Sequence, residues 1–100
     1  MHRIVYLSIA EDDILDAVDY IADRLDNPSA AEALLDELDK MVERIARFPY
    51  SSELYRTDRP MRKEIRIVPV KNYVLYYAVT EETVEIQRFI HGRRDRSHLF

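Results

Sequence analysis

"NPSAAEALLDELDKMVERIARFP", residues 27–49, carries the strongest periodicity in the chain, and the other segments are placed by reference to it. Ala31, Leu34, Leu35, Leu38, Met41, Val42, Ile45 and Ala46 recur at three- and four-residue steps, the repeat of one helix face. Asn27 offers a side-chain oxygen to the first free amides, and Pro28 sits where its missing N–H is not needed. Phe48-Pro49 stops the pattern, because a residue before proline is driven out of helical geometry. A helix with one apolar stripe must bury it, so the rest of the chain has to supply the opposing surface.

Upstream, "RIVYL" (3–7) is a short β-branched and aromatic run and predicts a strand. Ser8 followed by Glu11 has the spacing of a capping box, with Asp12 and Asp13 favouring the positive end of the helix that begins there. Ile14, Val18, Ile21 and Leu25, with Ala17 and Ala22 alongside, form its apolar stripe and leave Asp16, Asp19 and Asp23 toward water. Only a few residues separate the two helices, which therefore predict an antiparallel hairpin.

Downstream, residues 50–61 have no period and read as a surface connection. Three strands follow, "KEIRIVPV" (63–70), "YVLYYAV" (73–79) and "TVEIQRFIH" (83–91), joined by connectors short enough for an antiparallel meander. Ile65 and Ile67 share one face, opposite Glu64 and Arg66, and Pro69 requires an edge strand or a bulge. Strict alternation sets Val84, Ile86, Arg88 and Ile90 against Glu85, Gln87, Phe89 and His91, so Arg88 and His91 face apart unless a bulge intervenes. The fold class is α+β in the order β-α-α-β-β-β, one domain over residues 1–100. A helical hairpin packs on one face of a mostly antiparallel four-stranded sheet, and the other face or its edge is left to present polar residues.

Composition narrows the function. The single glycine, Gly92, excludes a glycine-rich phosphate loop, and the absence of cysteine excludes disulfides, a thiol nucleophile and a cysteine zinc site. The N-terminal apolar run is too short for a signal peptide or a membrane span, and a cytoplasmic protein is expected. The net charge of −4 conceals a division, with five Lys/Arg against twelve Asp/Glu in residues 1–50 and ten against seven in residues 51–100. Two faces with different partners are one reading of that asymmetry, and a solvated acidic helix face is the other.

The basic residues concentrate at the end, "FIHGRRDRSHLF" (89–100), with three arginines and two histidines. A histidine beside arginines suits RNA cleavage by transesterification, where one group takes the 2′-hydroxyl proton, another protonates the leaving oxygen and cations stabilise the phosphorane. An imidazole can serve either transfer, and a hydrogen-bonded histidine closing a strand is the plainer alternative for His91. The arginines equally suit a solvated, charge-paired tail. His91 and His98 lack a third ligand, so no metal site is expected, and no cofactor is implied. Tyr73 and Tyr77 share a face with Leu75 and read as packing.

Taken in order, Tyr20 of "DYIA", "NPSAA", Phe48-Pro49, the pattern formed by Arg66, Val70, Asn72, Tyr73 and Tyr77, and "HGRRD" (91–95) resemble the RelE/ParE superfamily of bacterial type II toxins. The resemblance covers roughly residues 3–95. It implies a growth-inhibiting toxin of the kind associated with plasmid stabilization. It also implies a hetero-oligomer with a cognate antitoxin whose extended or helical segment covers the apolar and basic surfaces. "NPSAA" and "HGRRD" look more like the ParE branch, which acts on DNA gyrase and does no bond chemistry of its own. The RelE-like alternative is a ribosome-dependent mRNA endoribonuclease, or mRNA interferase. Its catalytic set, carried over by position, would be Arg66, His91, Arg93 and Arg94, with Glu64 as a weaker base. The lysine-rich stretch of the ribosome-dependent members is missing, and an acidic protein suits ribosomal RNA poorly. A further alternative is an inactive module that keeps only antitoxin binding.

Overall fold

The computed structural model describes residues 1–94 and 99–100. Strand β1 (Arg3–Tyr6) leads into helix α1 (Ser8–Asp19), which continues as a π-helical turn over Tyr20–Arg24. Helix α2 (Pro28–Arg47) is followed by β2 (Glu53–Leu54), β3 (Ile65–Val70), β4 (Tyr73–Val79) and β5 (Thr83–His91). They build one five-stranded sheet in the order β1-β5-β4-β3-β2, with β1 parallel to β5 and every other pair antiparallel. The α+β class and the helical hairpin are as expected, and the strand count is corrected from four to five. The added strand, β2, pairs only Glu53 with Ile67 and Leu54 with Arg66, too short to leave a period in sequence. Beyond it β3 is an edge at Pro69, which satisfies the demand of a residue without an N–H.

Asn27 caps α2 as its position implies, its Oδ1 accepting from the Ala30 amide at 3.2 Å. The predicted stripe is the buried one, with Ala31, Leu34, Leu38, Val42, Ile45 and Ala46 all inside. The capping box of α1 does not form. Leu7 takes the cap position because its amide is held by the Ile86 carbonyl at 3.0 Å. The chain thus passes from strand to helix without a spare residue, and Ser8 falls inside the first turn. At the other end α1 widens. The Leu25 amide reaches back five residues to Tyr20, and Asp26 adopts a left-handed φ of 49° that ends the helix.

A bulge in β5 sets the faces of the sheet. Tyr76 is opposite Arg88 but Tyr77 is opposite Ile86, so Gln87 is the extra residue. Strict alternation therefore fails at that point. Val84 and Ile86 join Phe89 and His91 on the face under the hairpin, while Glu85, Arg88 and Ile90 lie on the outer face. Arg88 and His91 still face apart, since both follow the bulge. The inner core gathers Leu34, Leu38 and Ile45 of α2 with Leu75, Tyr77, Val84, Ile86 and Phe89 of the sheet.

The outer face is not the open polar surface that the strand pattern suggested. Ile65, Tyr76, Ala78 and Ile90 form a second, smaller core, covered by Tyr55, Met61, Leu99 and Phe100. Ile65 and Ile67 do share a face, and it is this outer one.

Candidate functional site

The hairpin is fastened to the sheet through Asp13, which lies on the buried side of α1 with Ala10 and Ala17. Two alanines let α1 approach β5 closely just where β1 has ended and the β5 edge would otherwise be bare. There the Asp13 carboxylate replaces a strand. Its Oδ2 accepts from the Phe89 amide at 3.0 Å and from Arg88 Nε at 2.8 Å, and its Oδ1 accepts from Arg88 Nη2 at 3.1 Å. This bidentate pair holds the Arg88 pKa above its ordinary value. The hydrogen bond to Asp13 is the main cause, working against partial burial, and the Asp13 charge adds to it. Neither residue was singled out from sequence as a pair. The legible signal was an acid in line with Ala10 and Ala17 and an arginine inside an apolar strand.

The residues of the expected nucleolytic set fall in two places. Arg66 is on β3, opposite Tyr77 in the register, and its Nη1 donates to the carbonyls of Ser52 at 2.6 Å and Tyr50 at 3.3 Å. Its guanidinium lies 5.2 Å from the centre of the Tyr50 ring. Tyr77 donates its hydroxyl to the Pro49 carbonyl at 2.9 Å. Burial is the main reason that the phenol pKa is raised, opposed by hydrogen bonding at Ser52 and by the charge of Arg66. Arg66 and Tyr77 thus clamp the chain where it leaves α2. Glu64 is exposed just before β3.

His91 is on the same face as Arg66 but at the opposite end of the sheet. It pairs with Tyr73, four residues along β4 from the partner of Arg66, and two strand spacings to the side. Strand geometry puts the two backbones about 16 Å apart. The His91 ring meets the Tyr73 ring edge to face at 5.2 Å, and its Nδ1 accepts the Arg93 amide at 3.1 Å. In the neutral ring the proton therefore sits on Nε2, which can donate; taking a proton there would need the other tautomer and the loss of the Arg93 bond.

Around His91 the chain makes a basic corner. The Gly92 amide donates to the Asn72 carbonyl at 2.8 Å, clasping the turn after β3 to the exit of β5. A Cβ on Gly92 would stand 3.3 Å from that carbonyl oxygen, so glycine serves a close approach here. The left-handed residue of the corner is Lys71, with φ 54°. The clasp brings Lys71 beside Arg93 and Arg94, both exposed, and the Arg94 amide closes the turn on the His91 carbonyl at 3.0 Å. Tyr73 stacks on Phe89 with ring centres 5.0 Å apart. Burial raises its phenol pKa, and nearby Tyr20, on the π-helical turn, raises it further. Arg96 and His98 lie outside the described residues.

Among the described residues no group of three or more His, Asp or Glu side chains is arranged to hold a metal, and no helix is long and apolar enough to cross a membrane. No curated protein sequence matches the chain. A solved structure of the chromosomal ParDE TA system from P. aeruginosa superposes with a TM-score of 0.72 at 14% identity, covering 91% of this chain and 96% of that one. Likeness at that identity speaks for the fold. Residues 4–96 match the family described as the ParE toxin of the type II toxin–antitoxin system parDE. The chain belongs to the ParE toxin family.

Proposed function

We propose that this toxin arrests growth by docking on DNA gyrase and performs no bond chemistry of its own. The observation that carries the reading is the separation of Arg66 from His91, each already engaged in holding its own turn. General acid–base cleavage needs its groups within reach of one phosphate. The basic corner of Lys71, Arg93 and Arg94 supplies the docking surface. The cognate antitoxin that membership in a toxin–antitoxin family implies holds the toxin silent until it is lost.

The test is induction of the chain without its antitoxin, with plasmid supercoiling and mRNA 5′ ends read in parallel. Growth arrest with lost supercoiling and uncut messages is expected, and an Arg93→Glu/Arg94→Glu variant that folds should be harmless. Codon-positioned cuts that disappear in His91→Ala and Arg66→Ala variants would replace this reading with the mRNA interferase. Harmless expression of folded native chain would leave only a module for antitoxin binding.

A further inference from the structure

The sheet has two edges, and only one is guarded. At the far edge β2 is two residues long, and Pro69 of β3 has no N–H to offer. At the near edge β1 has no proline, no glycine and no bulge. Its ladder to β5 uses alternate residues, since the amides of Arg3 and Leu7 donate to the Glu82 and Ile86 carbonyls at 2.9 Å and 3.0 Å. Ile4 and Tyr6 therefore turn their backbone groups to the free side. His2 faces that side too, and its amide donates to the Ala46 carbonyl near the end of α2 at 2.9 Å. Among the described residues nothing bonds the backbone of Ile4 or Tyr6 there. An unpaired edge of this kind is a template for another strand.

The edge is complementary to itself. Arg3 stands exposed at its start, and Glu11 stands exposed one helical turn past its end, with its amide on the Leu7 carbonyl at 3.1 Å. Neither forms an ion pair among the described residues. A two-fold axis through Val5 sets Ile4 opposite the second copy's Tyr6, and Tyr6 opposite the second copy's Ile4. Each pair then exchanges both of its backbone hydrogen bonds. In the same register Arg3 falls opposite the second copy's Leu7, one turn from the second copy's Glu11. Both charges are answered, once on each side of the axis. On the hairpin face Tyr6 borders a hollow of about 320 Å³ between α1 and α2, walled also by Glu11, Leu15, Leu35 and Asp39. Leu15 is 61% exposed there. The second copy's Ile4 lies at the mouth of this hollow and covers apolar surface that a single copy leaves in water.

We propose that the chain pairs with a second copy of itself through β1, making one sheet continuous across both. Strands of four residues bury little area, so the dimer is weak and forms only as concentration rises. The contact uses neither the basic corner nor Arg66, and the inference does not depend on the gyrase reading.

Sedimentation equilibrium of the purified chain over a concentration series should show monomer and dimer in exchange. Arg3→Glu and Glu11→Lys should each weaken self-association by about tenfold, since two exposed attractions become repulsions. An equimolar mixture of the two variants should regain the native strength, because both contacts of the mixed dimer again join opposite charges. A variant that had merely lost its fold would not be rescued in this way. The chain has no cysteine, so Val5→Cys places a single thiol on the axis, at a pair close enough for a disulfide. Mild oxidation should link that variant into covalent dimers, whereas Leu54→Cys on the far edge should stay monomeric. Native chain that is monomeric throughout the series would overturn the proposal and leave the edge to a strand of another protein. Dimers that neither charge reversal weakens, or equal linking through Val5→Cys and Leu54→Cys, would place the contact elsewhere and overturn it too. Circular dichroism checks the fold of each variant, and if Val5→Cys does not fold, rescue in the mixture decides alone.

Discussion

The two faces of the sheet are covered in different ways. The inner face lies under a hairpin of two long helices, whose buried residues repeat with helical period. The outer face is covered by side chains from an irregular connection and from residues 99 and 100. Leu75, Tyr77, Val84 and Ile86 on the inner face are wholly buried, as are Tyr76 and Ala78 on the outer. The difference lies in what covers them. A helix commits many residues to one cooperative unit, whereas a few side chains on a loop can leave one at a time. The inner cover therefore carries more of the stability, and the outer cover less.

Asp13→Ala should do most to break this arrangement, because it leaves the Arg88 guanidinium and the Phe89 amide without their acceptor. A loss of about 3–5 kcal/mol in urea unfolding is expected, the cost of uncoupling a buried pair from one side. Leu38→Ala, in the α2 stripe, should cost about 2–4 kcal/mol by the same measurement. Phe100→Ala on the outer face should cost about 1 kcal/mol or less, since the ring is already partly in water. An equal loss from Leu38→Ala and Phe100→Ala would erase the contrast between the faces. Tyr77→Phe strips the Pro49 carbonyl of its donor and should cost about 1–2 kcal/mol.

The smallest effect expected is a dependence on alkaline pH. The phenols of Tyr6, Tyr73 and Tyr77 are raised above their ordinary value, chiefly by burial, so the folded state holds these protons more tightly than the unfolded chain. The associated stability is complete below about pH 10, the unfolded value, and is lost as pH rises through the raised folded values. Tyr73→Phe should remove part of that loss, with the neutral-pH midpoint nearly unchanged. A Tyr73→Phe variant with an unaltered alkaline limb in thermal melts would place the sensitivity on other groups.

The inner face was legible because helical and strand periods each leave a pattern in the order of residues. The α2 stripe, the Asn27 cap, the shared face of Tyr73, Leu75 and Tyr77, and the edge at Pro69 follow from it directly. What escaped the sequence depends on contacts between distant segments. The Leu7 amide is taken by Ile86, which shifts the helix start and leaves Ser8 without a capping role. Gln87 bulges opposite the junction of Tyr76 and Tyr77, which reverses the facing of half of β5. Asp13 looked like a first-turn acid and is instead the acceptor for β5. At the candidate site, the closeness of His91 to Arg93 and Arg94 was visible as neighbouring letters. The distance to Arg66 was not, because it is set by strand register. The outer core was hidden for a similar reason, since Tyr55, Met61, Leu99 and Phe100 have no shared period and are neighbours only after folding.

The pairing of β1 with β5 sets when this toxin can exist. Arg3 lies against Thr83 and Tyr6 against Ile86, so the first strand waits for nearly the whole chain before it has a partner. Closing so long a loop is slow, and pairings of this kind raise contact order and delay folding. During synthesis the helical hairpin is made first, but the strand that anchors α1 through Asp13 emerges last. A nascent chain therefore shows an unburied apolar stripe without a finished basic corner. The sheet is complete only once β5 has been made. That interval gives an antitoxin already present the opportunity to meet the toxin while its surfaces are still assembling.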